Sequence, residues 1–350
     1  MKILKILTFL FLISGAKTFG SFEFLEIPPD APTQINGFNP AIESSQDVFK
    51  NPSLILNRSR KEFFLGYGMW IEDITSNSFS LYFPFSHNLG FGISYFMTDY
   101  GKIKGYSALD QPLGNISTGS SLFSFGFGLR VFKIPFGISY SKISQKLSDE
   151  DEGSGEILNF GTKYRILGLD FGLNFSMPRG KVKYSSGSQE DEIPSFLRAG
   201  IKAPLKRFAL FISDTVSQGD AYFNYGVEAK VSGNLVLRAG LESRKTIRGI
   251  NFGFGITGEK FLLDFGICGT EFGKTVQNIS FRYKFGASTL KSRLLNEAKY
   301  LFNQGYYIKA EKILKEVLIL DPSNKKARKY LREITRILNP AKKPSSKEGQ

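Results

Sequence analysis

Leu89-Gly90-Phe91-Gly92-Ile93-Ser94-Tyr95-Phe96-Met97 is the stretch that decides the fold: Leu89, Phe91, Ile93, Tyr95 and Met97 fall on one side of a two-residue beat, and Gly90, Gly92, Ser94 and Phe96 on the other. A β-strand sends successive side chains to opposite faces, so this period makes one face bulky and apolar and leaves the other mostly small or polar. Phe123, Phe125, Phe127, Leu129 and Val131 keep the same beat against Ser124, Gly126, Gly128 and Arg130. Strands of about 9–11 residues, apolar on one face and polar on the other, are what a transmembrane β-barrel needs to cross a bilayer around a polar interior.

The beat recurs in fourteen segments: Glu62–Trp70, Asn77–Phe85, Leu89–Thr98, Leu122–Phe132, Ile134–Leu147, Glu156–Tyr164, Leu167–Met177, Ser195–Ala203, Phe208–Val216, Ala221–Val231, Leu235–Ser243, Gly249–Thr257, Phe261–Cys268 and Val276–Phe285. An even number suits a single-chain bacterial barrel, which has short turns on the periplasmic side and longer loops outside. The connections have that phase. Asp99–Ser121, Ser148–Gly155 and Pro178–Pro194 are long and follow odd-numbered segments, whereas Lys133, Arg165–Ile166, Pro204–Arg207, Ser232–Asn234 and Gly258–Lys260 are short and follow even-numbered ones. This phase predicts a bacterial outer-membrane barrel with both chain ends in the periplasm. A soluble β-sandwich also alternates, but its strands run nearer five or six residues and bury their apolar face in one core.

Composition agrees with a membrane wall. The 350 residues include 34 Phe and 36 Gly but one Trp, one Cys and one His. A lone Cys268 cannot form an internal disulfide, and no Cys/His cluster offers a metal site, so neither a disulfide scaffold nor a metal or other cofactor is expected. The N-terminus reads as a secretory signal over residues 1–20: Lys2 and Lys5, an apolar run from Ile6 to Ile13, then small residues that fit cleavage after Ala16 or Gly20. A run of that length is short of the ~20 residues a spanning helix needs. The net charge of +14 is uneven, because residues 287–350 hold 15 Lys and Arg against 6 Asp and Glu. In an exported chain such a basic end meets anionic lipid or acidic partners; no nucleic-acid partner is expected.

With the apolar column facing lipid, the other column lines the lumen. Its candidate lining residues are Arg130, Asp170, Asn174, Arg198, Glu228, Arg238, Glu242, Asp264 and Arg282. Opposite charges in such a place are stabilised by pairing or by water, so they read either as a ladder stiffening the wall or as a selectivity or ligand site. The same column holds Gly66, Gly68, Gly90, Gly92, Gly126, Gly128, Gly168, Gly172, Gly253 and Gly255. Strand glycines often mark where another backbone comes close. Residues 21–58, with Pro28, Pro29, Pro32, Pro40 and Pro52, are too proline-rich to pair along a sheet and are the expected plug within a barrel over 59–286.

This plug region carries a resemblance. Phe24-Leu25-Glu26-Ile27-Pro28-Pro29-Asp30-Ala31, then Asn51-Pro52-Ser53, Glu62-Phe63-Phe64-Leu65 and Met69-Trp70-Ile71-Glu72-Asp73-Ile74 resemble the opening of the PorV/PorQ family of outer-membrane proteins, relatives of the FadL-type fatty-acid channels. The likeness extends in pattern from Phe24 to Phe285, with its sharp motifs in the first hundred residues. It implies a fourteen-stranded barrel with an N-terminal hatch, in which Asp30, Asn51 and Pro52 are the motif positions. Pro32-Thr33-Gln34-Ile35-Asn36-Gly37 stands in place of the family's glycine-rich stretch, and Ser53 in place of its Ala. The resemblance implies one of two roles: a conduit for hydrophobic small molecules, or a component of protein secretion.

After Phe285 the period changes to 3.6. Leu294, Ala298, Leu301 and Phe302 form one stripe; Tyr307, Ala310, Ile313, Leu314, Val317 and Leu318 form a second; a third helix is expected over 324–337. Ala298, Gly305, Ala310 and Pro322 sit at the spacing of one tetratricopeptide repeat, which gives a helical domain over 287–338 before a basic, disordered end at 339–350. A single repeat cannot bury its own faces, so the tail packs under its own cap or serves as an adaptor for periplasmic or secretion-complex proteins. Catalysis is not expected. The one histidine, His87, falls in a short periplasmic turn, and the Gly-x-Gly spacings belong to strand alternation.

Overall fold

The computed structural model describes residues 22–338 except 87, 107–111, 133, 149–150, 186–189, 218–219, 244–247, 270–273 and 287–288. The signal segment, His87 and the basic end from residue 339 lie outside the described residues. The chain divides into two units, one ending at Phe285 and one beginning at Gly286.

The first unit is a closed antiparallel wall. Its strands are β1 (Lys61–Met69), β2 (Thr75–Pro84), β3 (Leu89–Tyr106), β4 (Pro112–Val131), β5 (Ile134–Lys146), β6 (Glu152–Ile166), β7 (Leu169–Tyr184), β8 (Glu190–Glu192), β9 (Phe196–Pro204), β10 (Phe208–Ser217), β11 (Asp220–Lys230), β12 (Leu235–Ser243), β13 (Arg248–Thr257), β14 (Phe261–Gly269) and β15 (Thr275–Phe285). The three-residue β8 pairs with the far end of β7 and stands outside the ring. The other fourteen pair with their neighbours in chain order, and β1 pairs with β15 to close the circle. Each of the fourteen segments expected from alternation is one wall strand.

The apolar column faces out: Leu65, Tyr67, Met69, Phe79, Leu89, Tyr95, Phe127, Leu173, Ile250 and Phe252 are exposed, while Ser78, Ser80, Ser94, Ser124 and Asn159 are buried inside. Such an exterior is stable against lipid and unstable against water. Among the described residues no helix is long and apolar enough to cross a membrane.

Short turns gather at one rim. Between β6 and β7 the two-residue turn has φ 52° at Leu167 and 81° at Gly168, the positive pair of a tight hairpin turn. Gly168 therefore belongs to a turn and not to the inner column where alternation placed it. At the opposite rim the expected long loops are largely strand: residues 99–106 and 112–121 continue β3 and β4 with register shifts after Asp99 and Gly105, and residues 178–184 continue β7. Above the apolar band neither face needs to be greasy, so ladder hydrogen bonds persist where the alternation stops. β3 and β4, at 18 and 20 residues, reach ~60 Å along the strand against ~30 Å for the 9-residue β9 and β12, so the wall is tall on one side only.

Residues 22–58 lie on the inner faces of the strands. Helix α1 (Ala31–Asn36) packs on β10–β15, and the single turn α2 (Asp47–Lys50) with the 3-10 turn Pro52–Asn57 packs on β3–β6.

The second unit is a helical hairpin with a third helix: α3 (Thr289–Asn303), α4 (Tyr307–Leu320) and α5 (Lys325–Leu338). Ala298, Ala310, Leu314, Val317, Ala327 and Ile334 are its buried core. Gly305 has φ 78° in the turn before α4, where a side chain would be strained, and Pro322 follows the end of α4. The hydrogen bond from Lys291, with help from Ser323 and Asn324, holds the partly exposed Asp321 carboxyl down at about 2 against an ordinary 3.8. A carboxyl depressed on folding contributes stability above its unfolded value that is lost as pH falls through its folded one. In a carboxylate NMR titration of the full chain, Lys291→Met is accordingly expected to raise the Asp321 midpoint towards 3.8, whereas an unchanged midpoint would refute this coupling.

Candidate functional site

The bore is shaped by pairs of glycines that face each other across neighbouring strands. Gly92 sits opposite Gly126, Gly137 opposite Gly161, Gly172 opposite Gly200, Gly226 opposite Gly240 and Gly253 opposite Gly266. Each pair seats a particular piece of the N-terminal segment. A Cβ added at Gly161 would strike Asn51 Oδ1 and one at Gly137 the backbone of Pro52; Gly200 and Gly172 hold Asn39 and Pro40 in the same way, and Gly240 the Ile35 carbonyl. Two Asn-Pro steps thus occupy two equivalent seats on β5/β6 and β7/β9.

Hydrogen bonds fix the fit. Asn51 Nδ2 donates to the carbonyls of Pro40 (2.7 Å) and Thr162 (3.1 Å), and Asn39 Nδ2 donates to Ile212 O at 3.2 Å. Gln34 Nε2 donates to Val276 O at 3.0 Å, and Asn251 Nδ2 to Gln34 O at 2.9 Å. Asp30 caps α1 by accepting from Thr33 N at 2.7 Å and holds the next turn by accepting from Ser45 N at 2.6 Å and Ser45 Oγ at 2.7 Å.

The inner charges divide into groups. Arg238 bridges Glu228 (3.0 Å) and Asp264 on β11, β12 and β14. Asp170 lies 3.4 Å from Lys163 and 3.6 Å from Arg165 near the short-turn rim. Arg282 meets Glu43 of the N-terminal segment at 3.3 Å, and Arg58 joins Glu43 (3.3 Å), Glu62 (2.7 Å) and Asp47. Arg198, 0% exposed, lies with its guanidinium carbon 4.3 Å from the Phe196 ring centre, 5.1 Å from Phe38 and 5.2 Å from Phe49, and donates to Asn174 Oδ1 at 3.4 Å. Arg130 and Glu242 are half-buried on the inner column, Arg130 with its backbone N–H donating to Asn88 O at 2.9 Å. The network of Glu43, Asp47, Lys50 and Arg58 was not visible to strand periodicity, since it lies in a segment without one.

The tall half of the bore is apolar. Inward-facing Phe96, Leu122, Ile143, Ile157, Val182, Ile193 and Phe196 form one buried cluster with Phe22, Phe24, Leu25, Ile27 and Phe49 of the N-terminal segment. This is the reverse of a water-filled lumen: the inner surface here is built to hold apolar groups, and the chain's own Phe22, Phe24, Leu25, Ile27 and Phe49 occupy it. Among the described residues no group of three or more metal-ligating side chains comes together.

No family model matches the chain, and no curated protein matches it in sequence. Solved structures do match in fold. The toluene transporter TbuX of Ralstonia pickettii aligns over 74% of this chain and 98% of its own at 12% identity and a TM-score of 0.51. The toluene transporter TodX of Pseudomonas putida aligns over 77% and 98% at 12% identity and a TM-score of 0.52. The monoaromatic hydrocarbon channel CymD aligns over 74% and 98% at 13% identity and a TM-score of 0.51. At these identities the likeness is one of fold: the first unit is a closed fourteen-stranded antiparallel barrel that shares its architecture with these three proteins.

Proposed function

We propose that this chain is a non-enzymatic channel of the bacterial outer membrane that admits hydrophobic small molecules, with residues 22–58 as its plug and both ends of the wall on the periplasmic side. The observation that carries the reading is the apolar inner cluster of the tall half, Phe96, Leu122, Ile143, Ile157 and Phe196. A pore for water and ions gains nothing from such a lining, whereas a passage for an apolar solute requires it. The three transporters named above, which share the barrel, carry toluene or monoaromatic hydrocarbons, and this supports the same substrate class here.

The test is uptake by outer-membrane vesicles carrying the full chain, with labelled toluene, a labelled long-chain fatty acid and labelled sucrose. Faster entry of one of the apolar solutes with no change for sucrose is expected. Entry of all three at the rate of empty vesicles would overturn the reading.

The secretion role implied by the PorV/PorQ resemblance rests on the tail. Ile308 and Ile319, 74% and 80% exposed, lie on one outward stripe of α4 with Lys312 and Lys315, as an adaptor face would require. In this second reading the tetratricopeptide-like positions Ala298, Gly305, Ala310 and Pro322 build the scaffold that presents this stripe to an envelope protein.

A further inference from the structure

A barrel has one pairing that chain connectivity helps least, that of its first strand with its last. Here β1 and β15 run in register from Lys61 opposite Phe285 to Met69 opposite Gln277. Every other wall pair joins strands consecutive in the chain or separated only by the short β8, so this seam carries the largest loop-closure cost and is the place where the ring opens most readily.

The lipid side of the seam is held by rings: Phe63 lies 5.9 Å from Phe281 and 5.6 Å from Tyr283 between centroids. On the inner side the wall's own contacts are the Lys284–Glu62 pair, 4.0 Å apart with Lys284 partly exposed, and the Arg282 guanidinium, which lies 5.5 Å from the Phe64 ring centre. The N-terminal segment adds a buried crossing of its own. Arg58 binds Glu62 on β1 at 2.7 Å, Arg58 binds Glu43 at 3.3 Å, and Glu43 binds Arg282 on β15 at 3.3 Å. The chain of charges therefore passes from one side of the seam, through two residues of the segment, to the other. Arg58 and Glu62 are buried, and Arg58 also stacks 4.5 Å from the Tyr82 ring centre on β2. A second crossing lies deeper: Ser78 Oγ on β2 donates to Pro29 O at 2.8 Å, and Asn278 Nδ2 on β15 donates to Gln34 Oε1 at 3.1 Å.

We propose that residues 22–58 act as the clasp of the barrel seam, with Glu43 and Arg58 as positioning residues that join β1 to β15, so that the β1–β15 seam opens more readily once the segment leaves its seat. The segment then has a role in assembly and stability that is separate from any role in passage. It also follows that movement of the Glu43–Arg58 region, unlike movement of Phe22–Ile27 against β3–β9, loosens the wall itself.

The test is amide hydrogen exchange on the full chain in lipid nanodiscs. Arg58→Gln and Glu43→Gln are expected to speed exchange across Lys61–Met69 and Thr275–Phe285 about tenfold or more while β11–β13 stay protected. Arg238→Gln, which breaks a buried charge chain remote from the seam, should do the opposite, loosening β11, β12 and β14 and sparing β1 and β15. Arg282→Lys keeps the charge opposite Glu43 and should retain protection that Arg282→Gln loses, which covers the case in which the Arg58 variant does not fold. Exchange that rises evenly around all fourteen strands, or a seam unchanged in the Glu43 variant, would overturn the proposal.

Discussion

Gly240→Val and Gly161→Val are expected to unseat the N-terminal segment from an otherwise complete wall. In the parent protein Lys50 and Arg58 are each 1% exposed in the folded bore, so trypsin cannot reach either bond. A side chain at Gly240 would be driven into the Ile35 carbonyl, and one at Gly161 into Asn51 Oδ1 and the Pro52 ring. Neither obstacle is the free end of a flexible side chain. Ile35 O is main chain within α1, and Asn51 is fixed by bonds to Pro40 O and Thr162 O. Overpacking of this kind costs about 1–3 kcal/mol where neighbours relax and more where they cannot. The segment has a way out that a core residue lacks, since it is tied covalently to the wall only through Ser59 and Arg60 before β1 begins at Lys61. Mass spectrometry of the detergent-solubilised variants after brief trypsin treatment should find cleavage after Lys50 and Arg58, with the fourteen-stranded wall still migrating as a folded species in unheated SDS. Gly233→Val is the control: Gly233 is an exposed turn residue with nothing near its open position, and its variant should resist as the parent does. Equal resistance in all three variants would show that the glycine seats do not hold the segment.

The glycine seats also show what a sequence discloses and what it conceals. Strand identity was open to reading because lipid outside and polar or small residues inside impose period two on every wall strand. Seven glycines of the expected inner column, Gly66, Gly90, Gly92, Gly126, Gly128, Gly172 and Gly253, do meet the N-terminal segment. Gly68 and Gly255 instead make room for wall side chains, those of Asn278 and Asp264. The segment's own architecture was concealed, because its contacts are made by carbonyls and amides at irregular turns, which leave no periodic trace. One signal was available: Asn39-Pro40 and Asn51-Pro52 repeat the same dipeptide, and each sits on a glycine pair. Glu43, Asp47 and Arg58 were hidden for another reason. A charge in a proline-rich stretch reads as solvated, and only the closed wall reveals that there is no solvent on that side.

Arg238→Met is expected to destabilise the wall strongly, and the manner of its repair separates the two readings of the inner charges. Arg238 is 7% exposed, Asp264 1% and Glu228 18%, and the arginine is the cation that both carboxylates share. Removing one partner of a buried ion pair leaves an uncompensated charge and costs about 3–5 kcal/mol, whereas replacing the whole group by neutral residues of similar volume is near neutral. The temperature at which the folded SDS band disappears should therefore fall on the order of 10 °C in Arg238→Met. It should recover most of that loss when Glu228→Gln and Asp264→Asn are added. If the three charges form only a ladder across β11, β12 and β14, the neutral triple variant will match the parent in uptake of apolar solutes. If they bind or select a solute, uptake will change in the triple variant even though its stability has returned. The second result would move the selective part of the bore from the apolar tall half to the β11–β14 wall, because a change in uptake without a change in stability cannot come from the ladder.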